Sequence, residues 1–172
     1  MSDIDQNLVD AAKEVMGRIA MTVEVMTLIE TDGTLRGMTI SSLAPVSADP
    51  PSVLMCIGPQ ASSRPALVEG KTFCINVLAT DQVPAAIGFA YGTEDPFDVF
   101  DWEPAPDGTP VVSGSAVTLF CEVENVALHH ETAVVLARVT GGEVHKDEAL
   151  VYWQQKYYGN FVRIMPEVTG TW

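Results

Sequence analysis

The sequence predicts a fold made mainly of antiparallel β-strands, a barrel with a few helices at its flanks. Apolar segments are short, rich in β-branched residues and closely spaced, which is typical of strands joined by tight turns. Strands do not alternate with long helices, as they would in a parallel sheet. The chain has 172 residues, which fits one domain of roughly 100–200 residues. We therefore expect a single domain over residues 1–172, with its core at about 15–165.

Helical patterns are few and short. Apolar residues recur at a spacing of three and four over residues 6–19, which predicts an N-terminal helix. Ser63 suits the cap of a second, short helix because a proline follows at the first turn, and Gly70 marks its end. A third helix is expected over 82–91. Residues 92–114 are rich in proline, glycine and aspartate and predict a long surface excursion.

Short apolar runs with β-branched residues account for most of the remaining chain. The predicted strands cover 21–30, 52–58, 72–79, 115–127, 132–140, 149–153 and 160–165. Asp32-Gly33 is a strong signal for a two-residue hairpin turn. We predict a second hairpin turn at the glycine pair within 140–143. Two consecutive strands joined by a hairpin turn pair in an antiparallel orientation.

The charge of the chain limits its partners. Lys and Arg total 9 against 23 Asp and Glu, a net charge of −14. Nucleic acids and anionic membranes are polyanions, so we expect neither as a partner. No Lys or Arg occurs between Lys71 and Arg138. Basic side chains that hold a phosphate must therefore come from outside that stretch.

Cysteine usage and the N-terminus indicate a compartment. Cys56, Cys74 and Cys121 each lie in an apolar run, which predicts reduced thiols in the core and suits the cytoplasm. The sequence starts MSDIDQ, without the basic and apolar pattern of a signal peptide. No apolar run approaches the ~20 residues of a membrane span. We expect a soluble, cytoplasmic protein.

Several common catalytic motifs are missing. The chain has neither the GxGxxG of dinucleotide-binding folds nor the GxSxG of hydrolases. Gly70-Lys71-Thr72 ends like a phosphate loop, but Pro65 replaces the required first glycine. His129-His130 is the one cluster that suggests a metal. Neighbours on a strand point to opposite faces, so we expect one buried and one exposed histidine and no metal site.

An ordered series of short motifs carries a family resemblance. The motifs are GMTISS (37–42), PVS (45–47), DPP (49–51), VLMCI (53–57), ASSRPAL (61–67) and FCINVL (73–78). Weaker matches follow at Phe89-Ala90, Phe97, Asp101-Trp102, Pro110, the strand of Cys121 and 150–152. In this order they resemble the flavin reductase-like family, the FMN-binding split barrels. The resemblance covers about residues 15–160.

The resemblance implies a fold and an activity. It implies a homodimeric, split antiparallel β-barrel that binds FMN or FAD near the dimer interface. Members use NADH or NADPH as co-substrate to reduce the flavin, often for a partner monooxygenase. Hydride passes directly from nicotinamide to flavin, so we assign no catalytic acid or base. The alternatives are a flavin-binding protein without nicotinamide chemistry, as an electron carrier or a specialised flavoenzyme, and a barrel that binds no flavin.

The resemblance also implies a set of flavin contacts. Hydroxyls, a thiol and apolar side chains next to exposed backbone suit the isoalloxazine ring, and a basic loop at a helix N-terminus suits its phosphate. The expected ring contacts are Met38, Thr39, Ser41, Ser42, Cys56, Ile57 and Asn76. The expected phosphate contacts are Ser62, Ser63 and Arg64.

Several of these residues have an equally ordinary alternative. Ser63 is also suited to capping the short helix, and Arg64 to being a solvated surface charge. Asn76 is also suited to capping backbone groups between strands.

The chain departs from the family pattern at the nicotinamide side and at one basic position. Many members carry Gly-Asp-His where this chain has His130-Glu131-Thr132, and a basic residue where it has Pro59. His130 and Tyr157 are the nicotinamide-side candidates. For Tyr157 the alternative is packing in the final hairpin.

Overall fold

The computed structural model describes residues 5–160, in which β-strands hold many more residues than helices do. The helices are α1 (Gln6–Met16), α2 (Val83–Tyr91) and α3 (Pro96–Val99). The first six strands are β1 (Met21–Thr22), β2 (Glu24–Ile29), β3 (Leu35–Ile40), β4 (Ala44–Ala48), β5 (Pro51–Ile57) and β6 (Thr72–Val77). The others are β7 (Trp102–Pro104), β8 (Pro110–Val112), β9 (Val117–His129), β10 (Thr132–Val144), β11 (Val151–Trp153) and β12 (Lys156–Tyr158).

Seven strands form the main sheet in the order β3-β2-β6-β9-β10-β5-β4, and every neighbouring pair is antiparallel. A three-stranded sheet, β1-β11-β12, and a small hairpin, β7-β8, complete the strands within residues 5–160. The mainly antiparallel fold expected from the sequence is confirmed. The predicted turn at Asp32-Gly33 joins β2 to β3, with Gly33 at a φ of 88°.

The alternation of side chains separates an inner and an outer face on these strands. On β5, Val53, Met55 and Ile57 are buried and belong to the barrel core, whereas Cys56 between them is exposed. The expectation that all three cysteines lie in the core is therefore wrong for Cys56, because its position in the pleat points outward. Cys74 and Cys121 are buried, as expected.

Two apolar clusters hold the fold. The first fills the barrel, and its largest fully buried members include Met26, Met55 and Phe73. The second lies on the other side of β2, under α2, and contains Val25, Leu78 and Phe89. Burying each such side chain contributes about 1.5–3 kcal/mol. The main sheet is thus supported from both faces at β2.

The second hairpin turn was predicted in the wrong place. β10 continues through Gly141 and Gly142 to Val144, and the chain reverses instead at His130-Glu131. The register between β9 and β10 shifts between Val139 and Gly141, which leaves Thr140 without a ladder partner, so this segment is a bulge and not a turn. A Cβ at Gly142 would lie 2.8 Å from the carbonyl oxygen of Thr118, which explains why glycine follows the bulge there.

Smaller differences concern the ends of elements. The N-terminal helix stops at Met16, three residues earlier than predicted, and the short helix after Ser63 is a single 3₁₀ turn (Arg64–Ala66). The predicted strand at 149–153 begins at Val151 and is followed by the tight turn to β12, which the sequence analysis did not predict. The strand predicted at 160–165 lies almost entirely outside the described residues.

Candidate functional site

The loop between β3 and β4 lies beside Cys56 on β5 and forms the first part of the site. Ser42 Oγ accepts a hydrogen bond from the Cys56 N–H at 2.9 Å and donates one to the Cys56 carbonyl at 3.1 Å. β3 ends at Ile40 and β4 begins at Ala44, so residues 41–43 are outside the strand ladder. Half-buried hydroxyls of Ser41 and Ser42 thus lie at the edge of the sheet near an exposed thiol.

The loop from Gly58 to the 3₁₀ turn forms the second part. Ser63 is 1% exposed, and its Oγ contacts the Met38 sulfur at 3.0 Å. This contact ties the loop to β3, the strand that leads into residues 41–43. Ser63 makes no side-chain cap hydrogen bond, so the capping alternative is wrong. Ser62 is exposed and Arg64 half-buried, which leaves these two side chains accessible to an anion.

Thr39 faces the other side of β3. Its hydroxyl donates to the Ala86 carbonyl of α2 at 2.7 Å. Nearby, a Cβ on Gly37 would lie 2.5 Å from the Phe89 ring, so only glycine allows α2 to pack this closely. Thr39 therefore fixes β3 against α2, and its hydroxyl hydrogen is already engaged.

Two predicted contact residues lie inside the protein. Ile57 is fully buried in the barrel core, so its side chain does not line a surface slot. Asn76 is also fully buried: its Nδ2 donates to the Val25 carbonyl at 3.0 Å, and its Oδ1 accepts from the Val112 N–H at 2.9 Å. These contacts support the alternative in which Asn76 caps backbone groups between strands.

A groove of about 680 Å³ continues from the 3₁₀ turn. One wall is the turn and the segment after it, and the other is the part of β9 that extends beyond the barrel core. Its residues are Pro59, Ala61, Arg64, Pro65, Leu67, Val68, Glu69, Asn125, Val126 and Leu128. Within residues 5–160, Arg64 is the only basic side chain that lines it, and apolar side chains supply most of the remainder. An anionic group with an apolar extension fits this composition.

Comparison with known proteins identifies the family. A model of the flavin reductase like domain matches residues 16–160. The chain belongs to the flavin reductase-like family. Among solved structures, the NADH:FAD oxidoreductase SgcE6 of Streptomyces globisporus, in complex with NAD and FAD fragments, superposes with a TM-score of 0.84. Its sequence is 26% identical, and the match covers 96% of this chain and 100% of that one. The fold of this chain is the split barrel of flavin reductases.

Curated relatives include reductase components of two-component systems. HsaB of Rhodococcus jostii, the reductase subunit of a flavin-dependent monooxygenase, is 30% identical over 148 residues, which are 86% of this chain and 75% of that protein. The flavin reductase (NADH) of Kitasatospora aureofaciens is 30% identical over 161 residues, 90% of this chain and 84% of that protein. The reductase subunit Stc3 of Rhizobium meliloti is longer, and the chain covers 64% of it.

The two nicotinamide-side candidates of this flavin reductase-like chain lie on different elements. His130 is exposed in the β9–β10 turn at a φ of 52°, with its ring centroid 4.5 Å from that of His129. Both histidines are exposed, so the expectation that one is buried is wrong, because the chain turns between them. Tyr157 on β12 packs against Tyr152 at 5.4 Å, as its alternative predicted. Burial raises the Tyr157 pKa above its ordinary value.

Among residues 5–160 the structure places no three side chains of the kind that ligate metals close enough to share an ion. Within the same range, no helix has the length and apolar character needed to span a bilayer.

The cysteines of this family member fall into two classes. Burial raises the pKa of Cys74 and of Cys121 to about 12, so both remain protonated thiols at neutral pH. Cys56 is the exposed member, next to Ser42.

Sequence reasoning missed Glu24. It is 0% exposed at the start of β2, and neither carboxylate oxygen has a hydrogen-bond partner among the described residues. Burial raises its pKa to about 7; the nearby Thr22 side chain lowers it by less and does not reach hydrogen-bonding geometry. The signal was present, since one acid interrupts the apolar run MTVEVMTLIE at 21–30.

Proposed function

We propose that this protein is an NAD(P)H-dependent flavin reductase that supplies reduced FMN or FAD to a partner monooxygenase. The observation that carries the proposal is the family match over residues 16–160. The Ser42–Cys56 hydrogen bonds and the Ser63–Met38 contact, which ties the loop of Ser62 and Arg64 to β3, support it. Relatives named as flavin reductases and as reductase subunits of monooxygenases support both parts. The buried, unpaired Cys74 and Cys121 suit a reducing cytoplasm.

Each part of the site has a physical task. A bound flavin would supply the redox chemistry, because its ring accepts a hydride from the reduced nicotinamide. The backbone of residues 41–43, which lies outside the strand ladder, offers hydrogen-bonding groups to the polar edge of the ring. Ser62 and Arg64 offer donors to a phosphate. Holding two reactants face to face contributes several kcal/mol to lowering the barrier, so orientation is the main work of these residues.

The Arg64→Ala variant distinguishes the contribution of the flavin phosphate to binding from that of the ring. We expect the Kd for FMN to rise about tenfold, because a charge-assisted hydrogen bond contributes about 1.5 kcal/mol or more. The Kd for riboflavin, which has no phosphate, should stay unchanged. Flavin fluorescence titration at pH 7.5 measures both.

The matched control is Arg138→Ala, which removes the same charge from an exposed pair with Glu122 on the main sheet. We expect it to leave both affinities unchanged. Equal weakening of FMN binding by the two variants would show that Arg64 contributes only net charge, and not a contact.

Anaerobic mixing tests the activity itself. The protein with FMN or FAD should bleach the flavin absorbance when NADH or NADPH is added, at a rate that scales with protein concentration. Tight flavin retention with no bleaching by either nucleotide would instead favour a flavin protein without nicotinamide chemistry. The replacement of Gly-Asp-His by His130-Glu131-Thr132 is the observation that motivates this second candidate.

A homodimer is part of the proposal. Large apolar side chains are exposed on several elements of the single chain, among them Tyr91 (84%), Val144 (75%) and Leu128 (67%). An interface between two copies of the chain would remove such side chains from water. Light scattering after gel filtration should give twice the mass of the chain. A monomer at micromolar concentration would remove the dimer from the proposal and leave the activity untouched.

A further inference from the structure

Glu24 occupies a place where the barrel core meets the candidate flavin loop. Side chains on one face of a strand repeat every two residues. Glu24 therefore shares its face with Met26 and Leu28, both members of the cluster that fills the barrel. In the ladder it lies opposite Ile40 of β3 and Val77 of β6. Ile40 is the last residue of β3, so residue 41 begins immediately beyond it.

The side chains that face Glu24 from the two flanking strands are apolar. The flanking strands contribute Met38 and Ile40 from β3 and Ile75 and Val77 from β6, and none of these titrates. Thr22 of β1 is the nearby polar side chain. No charged group contributes to the shifted pKa, which comes from burial. A neutral carboxyl is tolerated there, but an ionised one is not compensated.

An ionised Glu24 has to reach water, so one of the two strands beside β2 has to move. These two strands, β3 and β6, differ in how firmly they are held. β6 is held between β2 and β9 inside the main sheet. β3 is an edge strand, and its end leads into residues 41–43, which have no ladder partners. β3 has a ladder on one side only, and beyond it side-chain bonds such as Thr39 to Ala86 and Ser42 to Cys56 hold this segment, whereas β6 has a ladder on both sides. The side with the weaker constraint is therefore the one that carries Ser41 and Ser42.

We propose that Glu24 is a positioning residue of the flavin site: its protonated form holds the end of β3 and residues 41–43 in the conformation that binds flavin, and its ionisation releases them. The proposal rests on the proposed function, since it concerns the same site. Flavin affinity should then fall as pH rises through neutrality. If only the protonated form binds, the apparent Kd rises about tenfold between pH 6 and pH 8 for a group that titrates near 7.

The test measures the Kd of FAD and of riboflavin from pH 6 to pH 8 by fluorescence titration. These two ligands are used because the phosphate monoester of FMN itself titrates near pH 6. The wild type should show the tenfold rise. In Glu24→Gln, which keeps the shape of the protonated acid, the Kd should stay at the pH 6 value throughout. Glu24→Leu provides a second pH-independent variant if the glutamine protein does not fold.

The control is Glu143→Gln, an exposed acid on β10 outside the site, which should keep the wild-type pH profile. A flat profile in the wild type, or the same rise in Glu24→Gln and Glu24→Leu, would overturn the inference while flavin binding itself stands. A change in melting temperature without any change in the pH profile of Kd would also overturn it, since Glu24 would then be structural only. Failure of every protein to bind either flavin at pH 6 would overturn the proposed function and this inference with it.

Discussion

Glu24→Gln should make the protein more stable than the wild type as pH rises. Relative to the wild type, its free energy of unfolding should increase by about 2–3 kcal/mol between pH 5 and pH 8. Glu24 is fully buried without a partner among the described residues, and its pKa is raised from 4.5 to about 7. Urea unfolding at several pH values measures the difference directly.

The direction of this effect follows from which state binds the proton. Between pH 4.5 and pH 7 the folded protein keeps the Glu24 proton, and the unfolded chain releases it. Stability from this group is therefore fully present below pH 4.5 and is lost as pH rises through 7. Glutamine cannot ionise, so the variant keeps its stability over the same range. Its buried amide adds a cost that does not depend on pH.

The wild type and Glu24→Gln share every other titrating group. The contributions of those groups therefore cancel in the difference between the two free energies of unfolding. Measurements stay at pH 5 or above, because the sequence pI is about 4.3 and proteins near zero net charge precipitate. Parallel stability curves for the wild type and Glu24→Gln from pH 5 to pH 8 would contradict the prediction. They would mean that Glu24 reaches water or a partner in solution.

Asn76→Ala should lower the free energy of unfolding by about 2–4 kcal/mol and leave flavin affinity unchanged. The side chain bonds the Val25 carbonyl and the Val112 N–H, which join β2 and β8 to β6. Both backbone groups lose their partner in the variant, and each buried group without a partner costs about 1–3 kcal/mol. Urea unfolding gives the stability, and fluorescence titration with FAD gives the affinity.

Asn7→Ala is the control, because Asn7 is exposed on α1 and does not line the groove. We expect it to change stability by less than about 0.5 kcal/mol. An Asn76→Ala protein that unfolds like the wild type but binds FAD more weakly would restore the alternative in which Asn76 contacts the flavin.

Much of the fold was readable because short apolar runs rich in β-branched residues are typical of strands. Such runs located β5, β6 and β9 to within a few residues, and Asp32-Gly33 located the first hairpin. The Gly141-Gly142 pair was misread because a glycine pair serves a bulge as well as a turn, and only the partner strand decides between them. The extent of β9 and β10 likewise depends on pairing that no local pattern contains.

The site was readable in part, and chiefly through family resemblance. The motifs brought Ser42, Cys56 and Arg64 into one hypothesis, and the structure places Ser42 in direct contact with Cys56. Sequence alone did not reveal that Ile57 and Asn76 face inward, since pleat direction is set by the sheet. Glu24 escaped notice because a single acid in an apolar strand is usually exposed. Its burial follows from β3 and β6 closing on both sides.

Cys56 gives the wild-type chain a built-in chemical handle. The sequence contains three cysteines, and the other two are buried thiols. A maleimide or a bulky disulfide reagent that meets the folded protein therefore has one place to react, next to the loop that contains Ser42. A label on the unmodified protein is therefore attached to the end of β5, beside this loop, with no cysteine to remove and none to add. The same exposure makes the end of β5 the part of the described chain where oxidants meet a thiol first.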